Sequence, residues 1–264
     1  MRVLTFFLRV VAACALAAPL VASQARAEDP SDLQRILDAK LVRIGAVQAP
    51  PWYQKDLLTN AWGGLVPDIM NEIFSKDGVK IDYVETQWGT AVAGLQSGRF
   101  DLLGAYNATP ERALSIDFTK PMGSLKFAVL TLKGDADAYA TWDQLNQPTV
   151  KLAAVDGAGA TRALTPLLTK TSWVVLPNSD GMYLELESGR VDALVTSDVQ
   201  ISQYLKVRRR GSMTVPTPAR EEPTNIGLRK SPDPKLRAWL DARLDALRAD
   251  GTLGRIWAKY VQSN

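Results

Sequence analysis

The chain has 264 residues, 46% of them apolar and 22% charged, with a formal charge of +3, one cysteine and no histidine. Without histidine, Ser-His-Asp and Cys-His nucleophilic catalysis and His-bearing zinc sites are excluded, leaving carboxylates, lysine, tyrosine and hydroxyls for any chemistry. The lone cysteine excludes an intrachain disulfide, and the near balance of charge gives no basic face for nucleic acid.

The first 27 residues predict a secretory signal. Arg2 and Arg9 bracket a basic start, Val10 to Ala22 is apolar, and Ala25-Arg26-Ala27 is a small-x-small site for cleavage after Ala27. The apolar run is too short to span a bilayer comfortably. Val11-Ala12-Ala13-Cys14 offers an alternative lipoprotein site with Cys14 lipidated, but the run continues past it, which favours ordinary cleavage. Cleavage removes three arginines and no acid, so the mature charge falls from +3 to 0. The basicity therefore belongs to the signal, and Arg208-Arg209-Arg210 reads as a solvated loop. No later apolar run is long enough to cross a membrane, so a soluble exported product is expected.

Residues 28–40 predict a short entry helix, and Leu41 to Val47 the first strand. Two prolines then break the ladder in the loop Ala49-Pro50-Pro51-Trp52-Tyr53, with its two aromatics just past the strand end. Leu65 to Phe74 predicts an amphipathic helix and Ile81 to Val84 a strand. Thr90 is the expected cap of a helix ending at Gly98, and Phe100 to Leu103 the strand that follows it. Next comes Gly104 to Arg112, where Thr109 caps, Pro110 takes the first helical position and Arg112 lies in the first turn. Leu125 to Leu132 and Thr224 to Leu228 predict extended segments, and Trp142-Asp143-Gln144-Leu145 a short helix. Two helices close the chain, the first with a buried stripe of Leu236, Leu240, Leu244 and Leu247, the second with Ile256, Trp257 and Tyr260 inward.

A repeat organises these elements. Leu95-Gln96-Ser97-Gly98-Arg99-Phe100-Asp101-Leu102-Leu103 returns as Leu186-Glu187-Ser188-Gly189-Arg190-Val191-Asp192-Ala193-Leu194, with six of nine positions identical. A second echo, Val42 to Gln48 against Val150 to Asp156, occurs in the same order. Two α/β units joined by two extended crossings predict a hinge. Ligands of open α/β sheets gather beyond the strands' carboxyl ends, which points to Gly104 to Arg112 and Val195 to Asp198. Asp101 and Asp192 sit at the other end, at corresponding strand starts, and read as structural rather than as paired catalytic acids.

The chain resembles the bacterial extracellular solute-binding proteins of the polar amino acid class, family 3. The resemblance is carried by Leu41 to Gly45 with Pro50-Pro51-Trp52, Gly64 to Ile69, Trp88 through Asp101, and Thr109 to Arg112 with Ile116 to Thr119. It continues through Gly189 to Ala193, Asn225 to Lys230 and Ala249 to Leu253. It implies an α/β, two-lobed periplasmic-binding-protein (type II) clamshell with two hinge crossings. The expected division is residues 28–127 and 223–264 in lobe 1 and residues 128–222 in lobe 2.

The resemblance implies a ligand site at Trp52, Tyr53, Trp88, Ala105, Tyr106, Asn107, Arg112, Ala160, Thr161, Ser197 and Asp198. Arg112 is the expected carboxylate clamp, its paired N–H donors aided by the helix start; as an ordinary surface arginine it would pair Glu111 or a neighbour. Trp52, Trp88 and less directly Tyr53 supply aromatic faces. Asn107 stands where the family places a hydroxyl residue, and Tyr106 is bulkier than usual. Ala160 and Thr161 match an irregular version of the backbone site completing the carboxylate grip, with Thr161 as a simple cap the alternative. Ser197 occupies the place of the family's ammonium-binding acid, one residue before Asp198, which otherwise serves only as a helix cap.

The function implied is a periplasmic receptor of an ABC importer that closes on a small amino-acid-like or carboxylate solute, a monomer working with an inner-membrane permease, without cofactor, metal or catalysis. Two alternatives stand beside it: a non-transport accessory or sensor domain, for example linked to quinoprotein alcohol oxidation, and a dehydratase on the same scaffold.

Overall fold

The computed structural model describes residues 31–133 and 137–261. The signal segment, its cleavage site, Cys14 and residues 28–30 of the entry helix lie outside the described residues.

Helix α1 (Asp32–Ala39) is capped by the Ser31 hydroxyl and leads into β1 (Leu41–Ala46). The small antiparallel pair β2 (Gln54–Lys55) and β3 (Trp62–Gly63) precedes α2 (Leu65–Phe74), whose apolar side is wholly buried. Then follow β4 (Lys80–Glu85), α3 (Ala91–Gln96), β5 (Leu102–Tyr106), α4 (Pro110–Ala113), β6 (Ile116–Phe118) and the long β7 (Gly123–Thr131). The second unit runs α5 (Trp142–Leu145), β8 (Lys151–Val155), α6 (Gly159–Leu164), β9 (Ser172–Leu176), α7 (Ser179–Glu187), β10 (Ala193–Ser197), α8 (Asp198–Arg208) and β11 (Ser212–Thr214). The chain returns through β12 (Glu221–Arg229) and ends in α9 (Lys235–Ala249) and α10 (Thr252–Tyr260).

The strands lie in the order β4-β1-β5-β12-β7-β10-β8-β9, with β6 beside β12 and β11 beside β7. Each half has a parallel core, β1 between β4 and β5 in one and β8 between β9 and β10 in the other. Each core is closed by one long antiparallel strand: β12 pairs with β5, and β7 with β10. The remaining stretches of β7 and β12 pair with each other, from Gly123↔Thr224 to Lys126↔Glu221. The result is a two-lobed α/β fold whose lobes are joined along these two strands.

The repeat is one physical device built twice. Both helices end in a glycine with positive φ, Gly98 at 68° and Gly189 at 70°. In each copy the glycine N–H and the next N–H return to helix carbonyls, Gly98 to Leu95 and Arg99 to Gly94, then Gly189 to Leu186 and Arg190 to Glu185. The aspartate then pins the turn to the neighbouring strand: Asp101 Oδ2 accepts from Arg43 N at 2.9 Å and Asp192 Oδ2 from Lys151 N at 2.8 Å.

Three local expectations change. The strand after Asp101 begins two residues later than expected and runs on, so Gly104, Ala105 and Tyr106 are strand rather than loop; the antiparallel partner β12 extends it. Thr90 does not cap α3 with its side chain, because its hydroxyl donates to Gln87 O instead. In α10, Ile256 is buried, but Trp257 and Tyr260 are only half-buried because their polar tips reach Met122 O and Asp68.

Candidate functional site

Local chemistry fixes Arg112. Thr109 Oγ1 accepts from Arg112 N, Pro110 opens α4, and the single turn projects the guanidinium back toward the end of β5. Arg112 is 3% exposed. Its Nη1 donates to Asn107 O at 3.0 Å and its Nη2 to Gly157 O at 2.7 Å, so one guanidinium ties the carboxyl end of β5 to the loop after β8. The guanidinium carbon sits 3.8 Å above the Tyr106 ring. Nε is buried with no hydrogen-bond partner. Burial lowers the Arg112 pKa, yet the guanidinium keeps its charge at any ordinary pH.

Aromatic rings surround this cation. Trp88, in a single 3₁₀ turn after β4, stacks on Tyr106 at 6.1 Å, and the Tyr106 hydroxyl donates to Trp88 O. Trp52 meets Trp257 edge-on at 5.7 Å, and its Nε1 approaches Ser197 Oγ in the other lobe at 3.4 Å. From β7, Leu125 and Phe127 add an apolar wall.

The second lobe contributes two helix starts. Ser197 caps α8 by accepting from Gln200 N at 3.2 Å, and Ala160 lies in the first turn of α6. Gln200 is held by its neighbours, its Oε1 accepting from Thr196 Oγ1 and its Nε2 donating to Ser179 Oγ. Asn107 crosses the hinge through Nδ2, which donates to Pro223 O at 2.9 Å. Together these groups enclose a cleft of about 40 Å³, room for a few waters.

Trp52, Trp88, Ala105, Tyr106, Asn107, Arg112, Ala160 and Ser197 thus line one cleft. The structure places three other expected residues beside it. Tyr53 is fully buried in lobe 1, its hydroxyl accepting from Gly104 N and donating to Gly104 O. The Thr161 hydroxyl donates to Val155 O at 2.6 Å. Asp198 turns toward the hinge, where Oδ1 accepts from Lys126 N and Val199 N, and burial raises its pKa. Glu111, the partner Arg112 would have as an ordinary surface arginine, pairs instead with Arg162 at 3.0 Å. Sequence reasoning missed Leu125, Phe127, Thr196 and Gln200. Leu125 and Phe127 follow the two-residue period of a strand, and Gln200 lies one helical turn after Ser197.

A larger hollow of about 190 Å³ lies around Asp101 at the strands' other end, where Asp101 is shared by Arg35 and Arg43 and Asp32 by Arg35 and Arg229. Its charges are matched within the lobe, which suits a structural role.

Comparison with known proteins gives relatives of the same architecture. The chain is 23% identical over 216 residues to the L-cystine-binding protein TcyA of Bacillus subtilis, covering 80% of this chain and 76% of that protein. It is 26% identical over 232 residues to the lysine/arginine/ornithine-binding periplasmic protein of Escherichia coli, covering 84% and 88%. Among solved structures, the ancestral amino acid-binding protein AncCDT-1, a precursor of cyclohexadienyl dehydratase, superposes with a TM-score of 0.79 at 29% identity, covering 87% of this chain and 99% of that one. A model of the bacterial extracellular solute-binding proteins, family 3, matches residues 42–263, and the chain belongs to that family.

Proposed function

We propose that the chain is the periplasmic solute receptor of an ABC importer, binding a small amino-acid-like or carboxylate solute between its lobes and presenting it to an inner-membrane permease. In this reading residues 1–27 are the export signal, residues 28–127 and 223–264 form lobe 1, and residues 128–222 form lobe 2. The receptor is a monomer and not an enzyme.

The observation that carries the reading is the buried Arg112 fork on the surface where the lobes meet, reaching both of them. A carboxylate taking the place of the two carbonyls would gain charge-assisted bonds and touch both lobes at once. Such a ligand binds the closed arrangement better than the open one, which is what drives hinge closure. The receptor reading is favoured over dehydration because the cleft lining offers neither lysine nor carboxylate among the described residues to move protons.

The test is calorimetric titration of the mature protein with a panel of amino acids and small carboxylates. At least one solute is expected to bind at micromolar concentration or below, and Arg112→Met is expected to abolish that binding. Silence across the panel counts against a receptor for this solute class.

A further inference from the structure

We infer that the solute taken by this cleft carries a carboxylate and an apolar body but no ammonium group. This rests on the receptor reading and narrows it.

Arg112 is the only formally charged residue lining the cleft among those described. Three of the acids around the rim are committed elsewhere. Asp198 is held by two backbone N–H groups on the hinge side, Glu111 by Arg162 and Glu221 by the Ser124 hydroxyl. Asp156 is exposed at the edge, beside Gly89. A zwitterion entering the cleft would pair its carboxylate with Arg112 but bring its ammonium into a lining that, among the described residues, has no carboxylate to receive it.

Several of the hydrogen-bond acceptors nearby are already engaged. Ser197 Oγ already receives Gln200 N and faces Trp52 Nε1. Asn107 O and Gly157 O accept from Arg112, and Pro223 O from Asn107. Asn107 Oδ1 lies against Gly159, where a Cβ would stand only 2.1 Å away. An ammonium has three donors and no acceptor function, and the acceptors this lining offers it are all neutral.

Donors are in surplus. Arg112 Nε is buried without a partner, and both Nη groups are bound to neutral carbonyls that a carboxylate would replace with stronger, charge-assisted bonds. The rest of the wall, Trp52, Trp88, Leu125 and Phe127, suits carbon. A cleft with one buried cation, spare donors and hydrophobic sides selects an amine-free monocarboxylate.

The experiment titrates the mature protein with matched pairs: propanoate against L-alanine, and 3-phenylpropanoate against L-phenylalanine, with glycine betaine as a carboxylate bearing a quaternary cation. In at least one pair the amine-free acid is expected to bind at least about tenfold more tightly than its amino acid, because a buried cation without a partner is strongly unfavourable. Amino acid or betaine binding as tight as the amine-free acid overturns the inference and leaves the receptor reading standing. No binding by any member defeats the receptor reading for this solute class, and the inference with it.

A gain-of-function variant gives an independent readout. Ser197→Asp keeps a residue able to cap α8 and puts a carboxylate on the lining. It is expected to move the binding ratio at least about tenfold toward the amino acid. An unchanged ratio in a folded variant overturns the inference.

Discussion

Asp101 and Asp192 hold the same place in the two copies of the repeat, yet their surroundings differ. Burial works to raise the Asp101 pKa, but the hydrogen bonds from the Arg43 side chain and backbone, with the nearby Arg35 charge, outweigh it and hold the carboxyl below its ordinary value. Asp192 is also lowered: burial again opposes, and Lys133 with the Lys151 backbone wins, but this pair lies closer to solvent. A carboxylate with a depressed folded-state pKa stabilises the fold fully above its unfolded pKa, about 3.9, and loses that contribution as pH falls through the folded value. Asp101→Asn is therefore expected to cost about 1–3 kcal/mol at neutral pH. The gap from wild type should stay level from pH 8 to 5 and narrow below about pH 4. Asp192→Asn should cost less, since an exposed pair contributes little. Urea midpoints across pH check this, and a gap that widens in acid would contradict it.

At the scale of elements, what could be read from the sequence was whatever is decided locally. The helix-glycine-strand junction announces itself because only a few residues tolerate the turn, and α4 because Thr109 and Pro110 are short-range signals. Strand ends were displaced because β12 returns more than 100 residues later to pair with β5, and nothing near Gly104 records that partner. The junction also gives a sharp expectation. A Cβ on Gly98 or Gly189 would meet nothing within 4 Å, so alanine there costs only the left-handed backbone, about 1 kcal/mol each. Equal losses in denaturant midpoint for Gly98→Ala and Gly189→Ala would show the two turns to be energetically equivalent. A loss confined to one would show that the repeat is equivalent in shape alone.

For the whole molecule, the first lobe's share of the cleft was more legible than the second's. Arg112, Asn107 and Trp52 stand at strand ends that loops and caps mark in the sequence, and the family resemblance assigns them to the site. Phe127 and Gln200 reach the cleft only because the lobes meet, and Asp198 faces away because the hinge strand offers Lys126 N. The meeting of the lobes is itself testable at Gly157. Its φ of +69° matches the +68° of Gly98, but a Cβ on Gly157 would lie 2.4 Å from the Gly89 backbone across the cleft. Backbone cannot step aside as a side-chain end can, so Gly157→Ala should prop the lobes apart, whereas Gly98→Ala carries the same conformational strain without a wedge. Small-angle scattering should show a larger radius of gyration for Gly157→Ala alone, and any solute bound by the wild type should lose at least about tenfold in affinity, because the closed state is less populated. If both variants scatter alike and bind alike, Gly157 does not gate closure. If only Gly157→Ala opens while the two lose similar stability, the contact between Gly89 and Gly157 sets how far the hinge can shut.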